Sequence, residues 1–442
     1  MFMNGAFKVG FISLGCPKNQ IDTEIMLKIL ADNGYEIVTE EILADVIIIN
    51  TCAFIESAKK EAIDNILDIA WLKTNGKKQL KGIIVCGCLA QRYKEQILAE
   101  LPEVDALIGV FSIHDILKAV RHIENGASSD KYISIARDGF VLGGERILTT
   151  PEYTAYIKIA EGCDNCCSYC VIPSIRGPFS AREAGDIIKE AKELADIGAK
   201  ELCVVAQDTT RYENLPGLLS KLCEIEGIKW IRLLYCYPDK ITDELIETIK
   251  NSDKILKYID MPIQHINDRI LSAMNRSGGA GAIKSAVKRL RENIPGITIR
   301  TTVIVGFPGE TKEIFGELCE FLKETKFERL GAFAYSAEEG TPAADFADQI
   351  GEKEKEHRQK TVMAIQKRIN YALNQKKTGQ TLKVLCEGFD KAGGVYYGRD
   401  YANAPEIDGK VYFISRAKVE EGDFVEVKIE KVLDYDLYGK GV

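Results

Sequence analysis

Cys163, Cys167 and Cys170 stand at C-x-x-x-C-x-x-C spacing in the run Cys-Asp-Asn-Cys-Cys-Ser-Tyr-Cys over residues 163–170. Three thiolates this close in sequence can wrap one cubane iron–sulfur cluster and hold three of its four irons, because ligation by cysteine needs tight local spacing. The fourth iron then has no protein ligand and can take a substrate, as a reacting metal centre must. Cys166 lies between these residues, and a closed zinc site with Cys166 as fourth ligand is the other chemistry the run allows. Zinc knuckles, however, normally come as two separated C-x-x-C pairs.

A second set of cysteines has no local spacing but a shared position. Residues 8–14, 45–50 and 82–86 are continuous apolar runs that read as buried strands, with a fourth short one near 104–109. Helical patterns follow the first three, to about residue 33, to about residue 73 and over about 90–101. Apolar strands alternating with helices predict a parallel, doubly covered sheet. Cys16, Cys52 and Cys88 each fall just past the C-terminal end of a predicted strand. Those ends share one edge of an open parallel sheet, where ligands bind. Three cysteines far apart in the chain can therefore converge on one cluster. Cys86 continues an apolar run and reads as core.

Beyond a connector at 123–150, most loop-like at 125–130, six more apolar segments follow at about 155–160, 201–206, 230–236, 258–263, 298–305 and 329–335. Helical patterns separate most of them. Six β/α units predict a partial barrel with its chemistry at the C-terminal strand ends. Gln207 and Asp208 end the second strand, and Gln264 and His265 end the fourth, so these polar side chains are site candidates by position. Arg176, beyond the cysteine loop, either lines the site or is a solvated loop cation. After the fifth strand, Gly306 and Gly309 allow a close backbone approach to a ligand. Glu310 and Thr311 read as the start of the next helix. A charged helix over 352–378 is expected to space the domains with a solvated face. Short β segments at 381–387, 395–399, 410–415 and 423–433 then predict a small barrel. The domains read as 6–124, 149–378 and 379–442. The fold class is α/β: a doubly wound parallel sheet, a partial (β/α)6 barrel and a small β-barrel.

The 442 residues are 46% hydrophobic and 28% charged, with a formal net charge of −8. That balance is ordinary for a globular protein and argues against a generally basic nucleic-acid binder. Residues 379–442 hold nine Lys and Arg against twelve Asp and Glu. The basic footprint of an RNA-binding module is missing there by net count, whereas a basic protein partner suits it. No apolar run reaches the roughly 20 residues of a membrane span. Met1, Phe2, Met3, Asn4 and Gly5 do not build a signal peptide, so the expected setting is the cytoplasm. Thirteen cysteines in such a chain point to metal or catalysis rather than disulfides. No internal repeat or low-complexity tract stands out.

The 163–170 run resembles the radical S-adenosylmethionine superfamily. The resemblance implies a 4Fe–4S cluster on Cys163, Cys167 and Cys170 whose open iron chelates S-adenosylmethionine, with Tyr169 near the adenine. The segment 303–311 is similar to the G-x-I-x-G-x-x-E region that contacts adenosine, and one role open to Arg176 is to steer the methionyl carboxylate. Gly15-Cys16-Pro17-Lys18-Asn19, Asn50-Thr51-Cys52 and Gly87-Cys88 resemble the N-terminal domain of methylthiotransferases, which implies a second 4Fe–4S cluster on Cys16, Cys52 and Cys88. The last segment resembles the TRAM domain that closes those enzymes. Arg399, Asp400 and the run 403–409 are similar to the branch acting on an aspartate of ribosomal protein S-twelve of the small subunit. The sister branch modifies a tRNA adenosine, and tRNA is not the expected partner. What the resemblance implies is radical removal of hydrogen from the aspartate β-carbon, sulfur delivery from the second cluster and methylation by a second S-adenosylmethionine. A reduced donor such as flavodoxin or ferredoxin would supply the electron. Cys86 and Cys166 are thiols outside that pattern.

Overall fold

In the computed structural model the chain is described over residues 7–76, 80–126, 130–136, 139 and 143–442. The first five residues, the predicted domain start at residue 6, and residues 127–129, 137, 138 and 140–142 of the connector lie outside the described residues.

The first sheet has six parallel strands, in the order Glu36–Val38, Lys8–Ser13, Val46–Thr51, Gly82–Gly87, Ala106–Ile108, Tyr132–Ser134. Val46–Thr51 and Gly82–Gly87 are buried at every residue, as central strands covered by helices on both faces must be. The two outermost strands are only three residues long. Neither stands out as an apolar run, and one of them lies within the stretch that reads as connector.

The central sheet is also parallel and open, in the order Thr154–Lys158, Glu201–Val205, Trp230–Leu233, Ile255–Asp260, Thr298–Val305, Arg329–Ala334. Alternate residues explain its two faces. Ala155, Ile157, Leu202, Val204, Ile231 and Leu233 pack under the surrounding helices. Tyr156, Cys203, Val205, Trp230, Leu234 and Tyr258 point to the concave face and join a core shared with the first sheet, the helix Pro17–Asp32 and the C-terminal domain. One continuous apolar core thus ties the three domains together.

The C-terminal domain is a closed barrel of Thr381–Asp390, Val395–Arg399, Val411–Ile414, Asp436–Gly441 and Phe424–Leu433. Its fifth strand, Asp436–Gly441, follows a turn at Asp434 with φ 53°. The segment 403–409 is tied to the central sheet, with Glu406 and Ile407 left exposed. Asn403 Oδ1 accepts from Arg329 Nε at 3.1 Å, and Asp408 Oδ2 accepts from Tyr258 Oη at 2.9 Å. The run closes the N-terminal end of the concave face.

The helix Glu352–Gln375 corrects one expectation. Its charges are not all solvated: Lys355 and Arg358 are buried, as are Gln366, Asn370 and Asn374. The helix lies along the last strand instead of spanning open solvent; Gln359 Nε2 donates to Ala332 O at 2.8 Å.

Candidate functional site

Cys16, Cys52 and Cys88 meet at the C-terminal edge of the first sheet. Two glycines let the loops close. At Gly15 (φ 98°) a Cβ would come within 2.8 Å of Cys52 Cβ, and at Gly87 (φ 89°) within 2.8 Å of Thr51 O. No other residue fits those left-handed, crowded turns without strain. Amides brace the edge: Asn19 Nδ2 donates to Thr51 O at 2.8 Å, and Asn50 Nδ2 to Asn19 O at 2.7 Å. Cys16 is near enough to raise the pKa of both Cys52 and Cys88. Burial pushes Cys88 up to about 12 and raises Cys52, because a thiolate is poorly solvated there. Cys86 is fully buried, with Sγ 3.6 Å from Ile49 O, away from this edge in the strand itself.

Cys163, Cys167 and Cys170 share a loop anchored across the mouth of the central sheet. Cys163 N donates to Gly177 O at 3.1 Å, and Ser168 N to Met274 O at 3.0 Å. Two donors point at sulfur: Asn165 Nδ2 at 3.5 Å from Cys163 Sγ and Ile172 N at 3.4 Å from Cys170 Sγ. Burial pushes Cys170 up to about 12 and raises Cys163, with the neighbouring thiols adding to it. Cys166 is exposed, with φ 47°, and only its carbonyl is engaged, by Asn275 Nδ2 at 2.9 Å.

Among the described residues no three His, Cys, Asp or Glu side chains converge tightly enough to hold a single metal ion. A cubane cluster is larger than one ion, so thiolates around it stand farther apart. Two all-sulfur sets of three, each without a fourth ligand, fit cluster ligation better than closed tetrahedral zinc. The raised thiol pKa values fit as well, since binding iron favours the thiolate and releases the proton.

The other predicted site residues fall into three groups. Arg176 turns away from Cys163, Cys167 and Cys170, although its helix Ile172–Arg176 directly follows them. It is 2% exposed, donates to Glu161 Oε2 at 3.0 Å and Asp22 Oδ2 at 3.2 Å, and reaches Cys88 Sγ at 3.6 Å. It joins the loop of one triad to a thiol of the other by a hydrogen bond. Gln207 and Gln264 lie at the mouth, each with a buried Oε1 that has no hydrogen-bond partner. Gln264 holds φ 67° to do so. Tyr169 packs with Ile270, Met274 and Ile304 beside the mouth. His265 is fully buried: Nδ1 accepts from Asn267 N at 3.0 Å, and Nε2 lies 3.3 Å from Glu310 Oε1. Glu310 also receives Gly306 N and, at 2.9 Å, Arg358 Nη1. His265 and Gly306 therefore brace the turn. Gly309 (φ 80°) borders an opening of about 240 Å³ next to Arg269 and Asp348. Thr311 caps the helix Lys312–Thr325 through Ile314 N.

Three polar groups at the mouth had no signal in the sequence. Arg276 lies against Cys167 and Tyr169, 4.1 Å over the Tyr237 ring. Lys158 is buried between Asp22 and Glu161. Burial alone would raise the Glu161 pKa, but Arg176 and Lys158 outweigh it and hold the carboxylate ionised.

A thiol triad of this spacing, at the C-terminal mouth of an open six-stranded parallel barrel, defines a radical S-adenosylmethionine enzyme. The profile of the radical SAM superfamily matches residues 157–322, that of the uncharacterized protein family UPF0004 residues 8–109, and that of the TRAM domain residues 378–442. The chain belongs to the RimO family of ribosomal protein uS12 methylthiotransferases. It is 50% identical over 441 residues to the member from Thermoanaerobacter sp. strain X514, covering 98% of this chain and 99% of that one. It is 47% identical over 445 residues to the member from Geobacter sulfurreducens, covering 99% of each. Among solved structures, the radical S-adenosylmethionine methyltransferase TsrM of Kitasatospora setae shares the fold, with TM-score 0.56 at 13% identity over 86% of this chain and 77% of that one. A 4Fe–4S cluster and S-adenosylmethionine come with membership of the superfamily.

Proposed function

We propose that this protein adds a methylthio group to the β-carbon of an aspartate in ribosomal protein uS12, using two 4Fe–4S clusters. Cys163, Cys167 and Cys170 would hold one, and Cys16, Cys52 and Cys88 the other. When bound, the first with S-adenosylmethionine supplies the radical that takes the unactivated hydrogen, and the second supplies the sulfur that S-adenosylmethionine methylates.

The observation that carries the reading is Arg176. Its backbone continues the loop of one triad, and its guanidinium reaches a thiol of the other. Both sets of thiols therefore border one interface, where a single carbon can meet both. The chain's own part is positioning. Asn165 and Ile172 donate towards sulfur and so tune the cluster. Asp208, buried and held by Lys240 at 3.1 Å, fixes Asn165 through a 2.9 Å hydrogen bond. Gln207 and Gln264 offer buried acceptors to the cofactor. The helix Pro17–Asp32 seals the mouth from water through Asp22 and Glu24. The setting proposed is the cytoplasm, with flavodoxin or ferredoxin as electron donor. Among the described residues no helix is long and apolar enough to cross a membrane.

The test offers reconstituted enzyme uS12 and tRNA separately, with S-adenosylmethionine, reductant and sulfide. A methylthio group on the aspartate is expected. One on tRNA adenosine and none on the protein would assign the sister reaction.

A further inference from the structure

Lys18 is the anomaly of the domain interface. It is 6% exposed, and its Nζ finds only Ala206 O at 3.4 Å and the Tyr235 ring at 3.5 Å. Three other cations buried at that interface meet carboxylates. Lys158 pairs with Asp22 and Glu161, Arg176 with the same two, and Arg146 with Glu24 and Glu190. Among the described residues no carboxylate lies within ion-pair distance of Lys18. Its place in the helix makes the position costlier still. It stands in the first turn of Pro17–Asp32, where the helix dipole disfavours a cation. A buried charge that is desolvated, opposed by a dipole and unpaired is strongly destabilising unless an anion joins it.

The geometry points to that anion: we propose that Lys18 binds the γ-carboxylate of the substrate aspartate. This rests on the reading above, in which the reacting β-carbon sits where both triads meet. The carboxylate is one bond from that carbon, so it enters the same water-poor space and needs a counter-charge there. Lys18 is two residues from Cys16, and its ammonium meets Ala206 and Tyr235 just past the ends of two barrel strands, so it lies where the first domain meets the barrel mouth. The carboxylates already present, Asp22, Glu161, Asp208 and Asp260, are each held by a cation of their own. An adenine offers no anion to Lys18, so the residue also separates a protein substrate from a nucleobase. Lys18 is thus a specificity-determining residue.

A double-mutant cycle reads the pair directly. Reconstituted full-length enzyme, wild type or Lys18→Met, is titrated with labelled uS12 carrying either the target aspartate or asparagine in its place. Lys18→Arg serves as the charge-retaining control, and iron content is measured alongside. Lys18→Met should weaken binding of the aspartate form about thirtyfold or more and leave the asparagine form unchanged, and Lys18→Arg should recover most of the loss. Equal weakening of both forms, the result if Lys18 only balances cluster charge, overturns the assignment. So does a wild-type enzyme that binds both forms equally, which needs no variant to fold. Methylthiolated uS12 with an additive cycle removes Lys18 alone. Modified tRNA with untouched uS12 removes the functional reading and this inference together.

Discussion

The two ends of the central sheet are both buried under another domain, and they are built in opposite ways. At the N-terminal end, Glu201 is fully buried between Arg232 (2.8 Å) and Arg399 (2.7 Å), while Asn403 and Asp408 take up Arg329 and Tyr258. At the C-terminal end lie six thiols and, among the described residues, the cations Lys18 and Arg276 without carboxylate partners and the amide oxygens of Gln207 and Gln264 without hydrogen bonds. Cys166, Tyr235, Gln264 and Asn275 are there in left-handed backbone, each at a cost in strain. One end satisfies its charges within the protein. The other leaves groups for ligands to complete. Thiols and amide oxygens without partners mark the C-terminal end, while buried ion pairs brace both ends.

The contrast breaks most completely at the thiols. Cys163→Ala, Cys167→Ala or Cys170→Ala should abolish reductive cleavage of S-adenosylmethionine, while exposed Cys166→Ala keeps it. Product analysis by chromatography decides this, and a dead Cys166→Ala beside a live Cys167→Ala would mean the register is wrong. Cys88→Ala should stop sulfur insertion yet retain that cleavage; Cys86→Ala should retain both. Full methylthiolation by Cys88→Ala would contradict the edge assignment.

At the opposite end the loss should be of stability rather than chemistry. Glu201→Gln leaves Arg232 without its anion and Arg399 with only Glu387, at a cost of about 3–5 kcal/mol, read as a lower melting temperature with normal turnover per folded molecule. Burial alone would raise the Glu201 pKa, but Arg399 and Arg232 hold it down to about 2. A depressed carboxylate stabilises the fold above its unfolded pKa of about 4.3, and that contribution is lost as pH falls towards 2. Acid melts should show the loss in wild type and lack that part of it in Glu201→Gln. The smallest effect is at the cap: Thr311→Ala should cost about 1 kcal/mol in thermal melts and leave cleavage nearly unchanged. A large loss of cleavage there would mean that the turn from Gly306 to Thr311 contacts cofactor more intimately than His265 and Glu310 suggest.

Much of this was legible because the relevant signals are local or periodic. Continuous apolar strands gave both parallel sheets, and the cysteines after the first three strands fall together on one edge. The missing pieces depend on tertiary neighbours. Glu36–Val38 and Tyr132–Ser134 are too short to show a period. Arg358 looks like any charge on a polar helix until Glu310 is seen against it. Arg176 sits in a loop beside one triad, and only the fold shows that it faces Asp22 and Cys88. Lys18 was visible next to Cys16, but its want of a carboxylate is a property of the assembled interface. The run 403–409 carries family resemblance in sequence and joins two domains in space.

Iron content tests the central claim most directly, because it asks whether the C-terminal end holds two clusters rather than one. After anaerobic reconstitution the wild-type chain should bind about eight irons, and Cys88→Ala and Cys163→Ala about four each. About four in the wild type, unchanged in Cys88→Ala and lost in Cys163→Ala, would contradict it.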